Sequence, residues 1–165
     1  MGIWTNNDGL RIKIGASEAN ITQGGEYNVT GIHELEVRLN LASLGTASAL
    51  VEPGVILPRG ARIDSVETVV EAVATSGGAA ALNVGLVRLD NTTAIDVDGL
   101  VAAAALTTLD AVGEKTAGAG ALVGTVLTNP GKIVADYDTA AYTAGTVLVR
   151  VKFYVPIPTA TNVGL

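Results

Sequence analysis

Between Gly145 and Pro156 the chain alternates without a break. Val147, Val149, Val151, Phe153 and Val155 fall on one side, and Leu148, Arg150, Lys152 and Tyr154 on the other. Successive side chains of an extended strand point to opposite faces of its sheet. A slip of one residue in pairing would expose the whole valine row, so burial fixes the register. The rest of the chain must therefore supply a sheet that accepts this strand, and Pro156 and Pro158 end it.

A second segment obeys the same rule. Leu35, Val37 and Leu39 share one face, while Glu34, Glu36, Arg38 and Asn40 share the other, which predicts a half-buried strand. Val55-Ile56-Leu57 runs into Pro58-Arg59-Gly60, a turn. Ala61 to Ala74 is rich in β-branched residues and alternates imperfectly, as a bulge near Ser65-Val66 would make it do. Thr75-Ser76-Gly77-Gly78 reads as the next turn and Ala80 to Leu89 as the next strand. Alanine-rich Gly99 to Asp110 follows Asp98 as an N-cap and places Val101, Ala105 and Leu109 on one helical face, so a helix is expected there. Gly113 to Gly120 reads as loop, Ala121 to Thr128 as strand, Asn129-Pro130-Gly131 as turn, and Lys132 to Tyr137 as strand.

About seven or eight strands with one short helix point to an all-β, antiparallel β-sandwich of jelly-roll type. The missing crossover helices argue against parallel α/β architecture. The expected organisation is an N-terminal arm over 1–29, a sandwich over 30–158 and a tail over 159–165. No fixed-period repeat divides the core.

Charged residues make up 16% of the 165 residues, against roughly 25% in ordinary soluble domains. Mean hydropathy is +0.44. One small domain has difficulty hiding that much apolar surface, so burial against other subunits is expected, most simply in a homotrimer or on a larger assembly. A net charge of −6 without any basic run argues against nucleic acid as the main partner. The absence of cysteine removes disulfides, thiol catalysis and thiolate metal sites. The first residues lack the pattern of a secretory signal, and apolar runs such as Leu100 to Leu106 are too short to span a bilayer, so synthesis in a bacterial cytoplasm and no membrane partner are expected. Without a signal, the sequons at Asn20, Asn28 and Asn91 read as chance.

Motifs with chemical content are few. His33 is the only histidine, and one imidazole cannot build a histidine-based zinc site. Asp96 and Asp98 with Gly99 have part of a calcium-loop pattern, but Ala94 and Ala105 occupy the first and twelfth positions where carboxylates are needed. Gly118, Gly120 and Gly124 miss the G-x-G-x-x-G spacing, and no Lys-Ser/Thr pair follows. Glu34 and Glu36 share a strand face, as acids on many solvated sheets do. No catalytic residue, metal ligand or cofactor is assigned. The candidate interaction anchors are Ile3 and Trp4, an apolar pair in an otherwise turn-rich arm, of the type that buries into a neighbour at an interface.

Four segments carry a resemblance. They are Leu57-Pro58-Arg59-Gly60-Ala61-Arg62-Ile63 before a valine-rich strand, Thr75-Ser76-Gly77-Gly78 before Leu82-Asn83-Val84-Gly85-Leu86, Ile95-Asp96-Val97-Asp98-Gly99, and Tyr137 to Gly145 before the final strand. Over Val55 to Val155 the chain resembles the small β-sandwich decoration, cement or head-stabilising proteins of tailed phages and prophages. The resemblance implies a non-enzymatic virion protein on the outer capsid surface, with the major capsid protein and further copies of itself as partners. A head-fibre or tail-associated receptor or glycan-binding module is the alternative, since one sandwich architecture serves both roles. Glycan sites usually present aromatic platforms, and this chain has only Trp4, Phe153 and four tyrosines to offer. An enzyme with dispersed carboxylates is the least favoured reading.

Overall fold

The computed structural model describes residues 2–5, 11–14, 31–51 and 55–156, the first two stretches by their backbone. In chain order the strands are β1 (Gly2–Thr5), β2 (Arg11–Ile14), β3 (His33–Asn40), β4 (Ala49–Leu50), β5 (Ile56–Leu57), β6 (Arg62–Ser76), β7 (Ala81–Arg88), β8 (Ala94–Ala105), β9 (Lys115–Ala117), β10 (Gly131–Asp138) and β11 (Tyr142–Tyr154). Two 3-10 turns, Leu41–Ser43 and Leu106–Thr108, are the only helical pieces among the described residues.

One sheet runs β3-β11-β6-β9 and the other β4-β10-β7-β8, with β5 also on β10. Every pairing is antiparallel. The pairs are nested: β7 with β8, then β6 with β9, then β5 and β4 with β10, then β3 with β11. Such a chain is one long antiparallel ladder rolled up so that successive pairs fall in opposite sheets, which is the jelly roll. β1 and β2 form a separate two-stranded sheet within the segment expected to be an arm.

The alternations seen in sequence set the core. Val37 and Leu39 of β3 and Val147, Val149 and Val151 of β11 are buried together with Ile63, Val66 and Val70 of β6. Leu82, Val84 and Leu86 of β7, Leu100 of β8 and Ile133 of β10 belong to the same cluster. Each such side chain contributes roughly 1.5 to 3 kcal/mol of transfer free energy when fully buried. Burial fades toward the end of β11: Phe153 is half-buried, and Val155 lies beyond the strand and is exposed. The imperfect alternation of β6 has the expected cause, because Ile63 pairs with Phe153 and Ser65 with Lys152, leaving Asp64 bulged out.

Three expectations are corrected. The alanine-rich segment forms no helix over Gly99 to Asp110: β8 runs to Ala105, and only Leu106–Thr108 turns. Alanine's helix propensity of a fraction of a kcal/mol per residue yields here to backbone pairing on both sides. β7 pairs along one edge, and on the other Leu122 N–H donates to Gly99 O at 2.8 Å and Gly120 N–H to Leu100 O at 3.3 Å. Ala121 to Thr128 is not a strand. It folds into tight turns around Gly124, at φ +81°, and meets β6 at the isolated bridge Arg62 to Val126 and through Gly124 N–H, which donates to Ile63 O at 2.8 Å. Within Gly113 to Gly120, read as loop, Lys115–Ala117 pairs with β6 as β9.

Candidate functional site

The residues singled out for chemistry are dispersed. His33 lies exposed at the start of β3 and stacks on Phe153, with ring centroids 5.4 Å apart. Asp96 borders and Asp98 lies within a wide bulge in β8, where one β7 residue, Gly85, faces the four residues Val97 to Leu100. Burial, and then the hydrogen bond to Asp98, raises the Asp96 carboxyl above its ordinary range. Among the described residues no three His, Asp or Glu side chains gather as a metal site. Gly118 and Gly120 serve close backbone approach: a Cβ on Gly120 would stand 2.1 Å from the Gly99 carbonyl carbon, and one on Gly118 2.4 Å from Leu100 O. The hydroxyl of buried Tyr142 has no hydrogen-bond partner among the described residues, and burial pushes it up to about 12.

The outer face of the β3-β11-β6-β9 sheet is a lattice of ion pairs. Arg150 Nε donates to Glu36 Oε1 at 2.8 Å and lies 3.6 Å from Glu34, and its Nη1 is 3.6 Å from Glu67. Lys115 reaches Glu67 at 3.4 Å and Lys152 reaches Glu34 at 3.9 Å. Arg38 forks onto Glu71, with Nη2 2.8 Å from Oε1, and this hydrogen bond holds the Glu71 carboxyl below its ordinary value. A groove of about 230 Å³ beside β9 is lined by Ser65, Glu67, Lys115, Thr116, Arg150 and Lys152. Its charged groups already serve one another. Glu34 and Glu36, the two acids sharing a face of β3, belong to this lattice.

The opposite outer face, on the β4-β10-β7-β8 sheet, holds a feature that sequence reasoning missed. Asn83 of β7, buried, donates through Nδ2 to Asp136 Oδ1 at 2.9 Å and to Asp138 Oδ2 at 2.8 Å. Its Oδ1 accepts the Ala103 N–H at 2.8 Å, where Ala103 takes φ +47° in a β8 bulge. The Ser48 hydroxyl donates to Asp136 Oδ2. One amide thus ties β7, β10 and β8 together, and Asp136 extends the cluster to the approach to β4. An asparagine inside the apolar run Leu82 to Val87 was the available signal, since a buried amide must find partners.

Ile3 and Trp4 stand in β1 opposite Lys13 and Ile12, and their side chains lie outside the described residues. What the described part offers is surface, shaped by a rigid sandwich. No protein-family model matches the chain, and no curated protein does. Solved structures that share the fold include chains from three phage capsids. A chain of the "Cyanophage Pam1 capsid asymmetric unit" matches with a TM-score of 0.59 at 21% identity, covering 87% of this chain and 98% of that one. A chain of the "Acidic stable capsid structure of Helicobacter pylori bacteriophage KHP30" matches with a TM-score of 0.55 at 16% identity, covering 78% and 91%. One from the "Capsid of Ralstonia phage GP4" matches with a TM-score of 0.52 at 15% identity, covering 78% and 87%. The likeness establishes a shared jelly-roll fold with chains present in phage capsids.

Proposed function

We propose that the chain is a structural virion protein of a tailed phage: a decoration or cement subunit that binds the outside of the head as a homo-oligomer, a trimer, and stabilises the shell. The observation that carries this reading is the coverage of the three capsid chains, spanned over 98%, 91% and 87% of their own lengths. Each is therefore a small subunit made almost wholly of this fold, not a larger shell protein bearing it as an insertion. A separate small subunit is the form that an added stabilising layer takes. The self-satisfied ion-pair lattice and the dispersed titratable groups fit a protein that works by contact area and shape.

A reconstruction of the virion that encodes the chain tests this. Density for the sandwich is expected above the shell at three-fold or quasi-three-fold positions, and heads lacking the subunit should rupture at lower temperature. Sandwich density confined to the tail would overturn the reading in favour of a receptor-binding module. Absence of the chain from purified virions would overturn any virion role.

A further inference from the structure

The strand register assembles one end of the sandwich from distant parts of the sequence. His33 pairs with Phe153, Phe153 with Ile63, and Arg62 with Val126, so the start of β3, the end of β11 and the start of β6 lie side by side. In the other sheet Leu57 pairs with Gly131 and Gly131 with Arg88, and the turn Pro58–Gly60 joins this corner to the first. A Cβ on Gly60 would come within 3.9 Å of Val155 Cγ1, which closes the rim.

Large apolar side chains concentrate there. Of the eight exposed among the described residues, five belong to this end: Ile32, Ile56, Leu89, Val126 and Val155, between 37% and 61% exposed. The charges of this end differ from those elsewhere. On the outer lattice Arg38, Lys115, Arg150 and Lys152 all meet glutamates. Arg59, Arg62 and Arg88 are exposed and form no ion pair among the described residues. The nearby Asp90 carboxylate is engaged by its own loop, accepting from Thr92 N–H, Thr93 N–H and the Thr93 hydroxyl. Three exposed arginines without an ion pair among the described residues, against the exposed carboxylate of Asp64 that is likewise free of one, stand among exposed apolar side chains in a chain of net charge −6, and are complementary to a protein surface carrying carboxylates between apolar residues. Both terminal segments, 1–30 and 157–165, also join the sandwich at this end, through Gly31-Ile32 and Val155-Pro156.

We infer that this end of the sandwich is the docking face, and that its partner is an acidic, apolar protein surface on the head shell. The inference rests on the cement reading and adds the orientation: the Ile32–Arg62–Leu89 end points at the shell and the Ser76–Ala80 end points away. The test uses the full chain and heads of its phage prepared without it. Leu89→Asp/Arg59→Glu and Val126→Asp/Arg62→Glu alter the face at exposed positions, and Val112→Asp alters an exposed valine outside it. Both double variants are expected to lose head occupancy at least tenfold in co-sedimentation while keeping the parent's melting temperature and solution mass, and Val112→Asp to bind as the parent does. Parent binding with undiminished binding of both double variants would overturn the docking face alone. A fall in solution mass of the double variants would overturn it in favour of an interface between copies. Failure of the parent chain to bind heads would instead overturn the cement reading.

Discussion

Asn83 has every hydrogen-bonding group of its side chain in use, and each bond reaches a different part of the second sheet. Truncating it to alanine would leave the buried Asp136 carboxylate with only the Ser48 hydroxyl and free the Ala103 bulge. Removing one partner of a buried charged group costs more than the bond's net worth, because the survivor keeps its desolvation penalty. Asn83→Ala is expected to lower unfolding stability by about 2–4 kcal/mol in urea titrations; a change within 0.5 kcal/mol would show that water replaces the amide without cost. Two aspartates give the stability profile opposite slopes in acid. Asp90, held well below the usual carboxylate range by the Thr93 and Thr92 donors, stabilises the fold above its unfolded value of about 3.9, and this is lost as pH falls through the lower folded value. Asp96, raised by burial and Asp98, binds its proton in the folded state first, so its contribution is fully favourable below the unfolded value of about 3.9 and is lost as pH rises from there through the raised folded value. Asp96→Asn should therefore raise the melting temperature at neutral pH and flatten the profile between neutrality and about pH 4. Melts of both proteins across that window, if parallel, would refute the assignment.

At the scale of elements, strands whose two faces differ chemically were legible and those defined by close backbone approach were not. β3 and β11 each carry an apolar row and a polar row, and their pairing puts Arg150 opposite Glu36 and Val149 opposite Val37. β8 has no such contrast: Leu100 and Val101 are both buried, and the alanines around them read equally well on a helix. What decides for a strand is long-range, namely the bulge over Gly85 and the backbone of Gly118 to Leu122 against its free edge. Single glycines there are structural requirements invisible to periodicity. Gly120→Ala would drive its Cβ into the Gly99 and Leu100 backbone, with nothing flexible to give way. It should cost more than about 3 kcal/mol or abolish soluble folding, whereas Gly77→Ala, which meets nothing within 4 Å, should be close to neutral. Equal melting temperatures for the two variants would mean that the 118–122 segment moves away from β8 without penalty. The Asn83 cluster was partly legible for the same reason: the amide stands out in its strand, but Asp136 and Asp138 reach it only through the β7–β10 register.

At the scale of the whole molecule, the segment 1–29 either belongs to the sandwich or acts beyond it. Among the described residues β1 pairs only with β2, and β3 pairs only with β11, leaving the outer edge of β3 without a strand. That edge alternates Glu34, Glu36, Arg38 and Asn40 on its solvated face, and charged side chains of this kind discourage a further strand from adding. The nested jelly roll is already closed by β3 on β11, so no pairing inside it depends on the arm. Removing residues 2 to 28 is therefore expected to leave one cooperative melting transition within a few degrees of the parent, while head occupancy falls. Trp4→Ala alone should reproduce much of that fall, since ordering an extended arm costs roughly 1–2 kcal/mol per residue and only a few well-buried side chains can offset it. Calorimetry and co-sedimentation of the truncated chain separate the cases. Retained folding with undiminished occupancy would place all attachment on the sandwich, and loss of the cooperative transition would make the arm a strand of the fold, with the open edge of β3 as its seat.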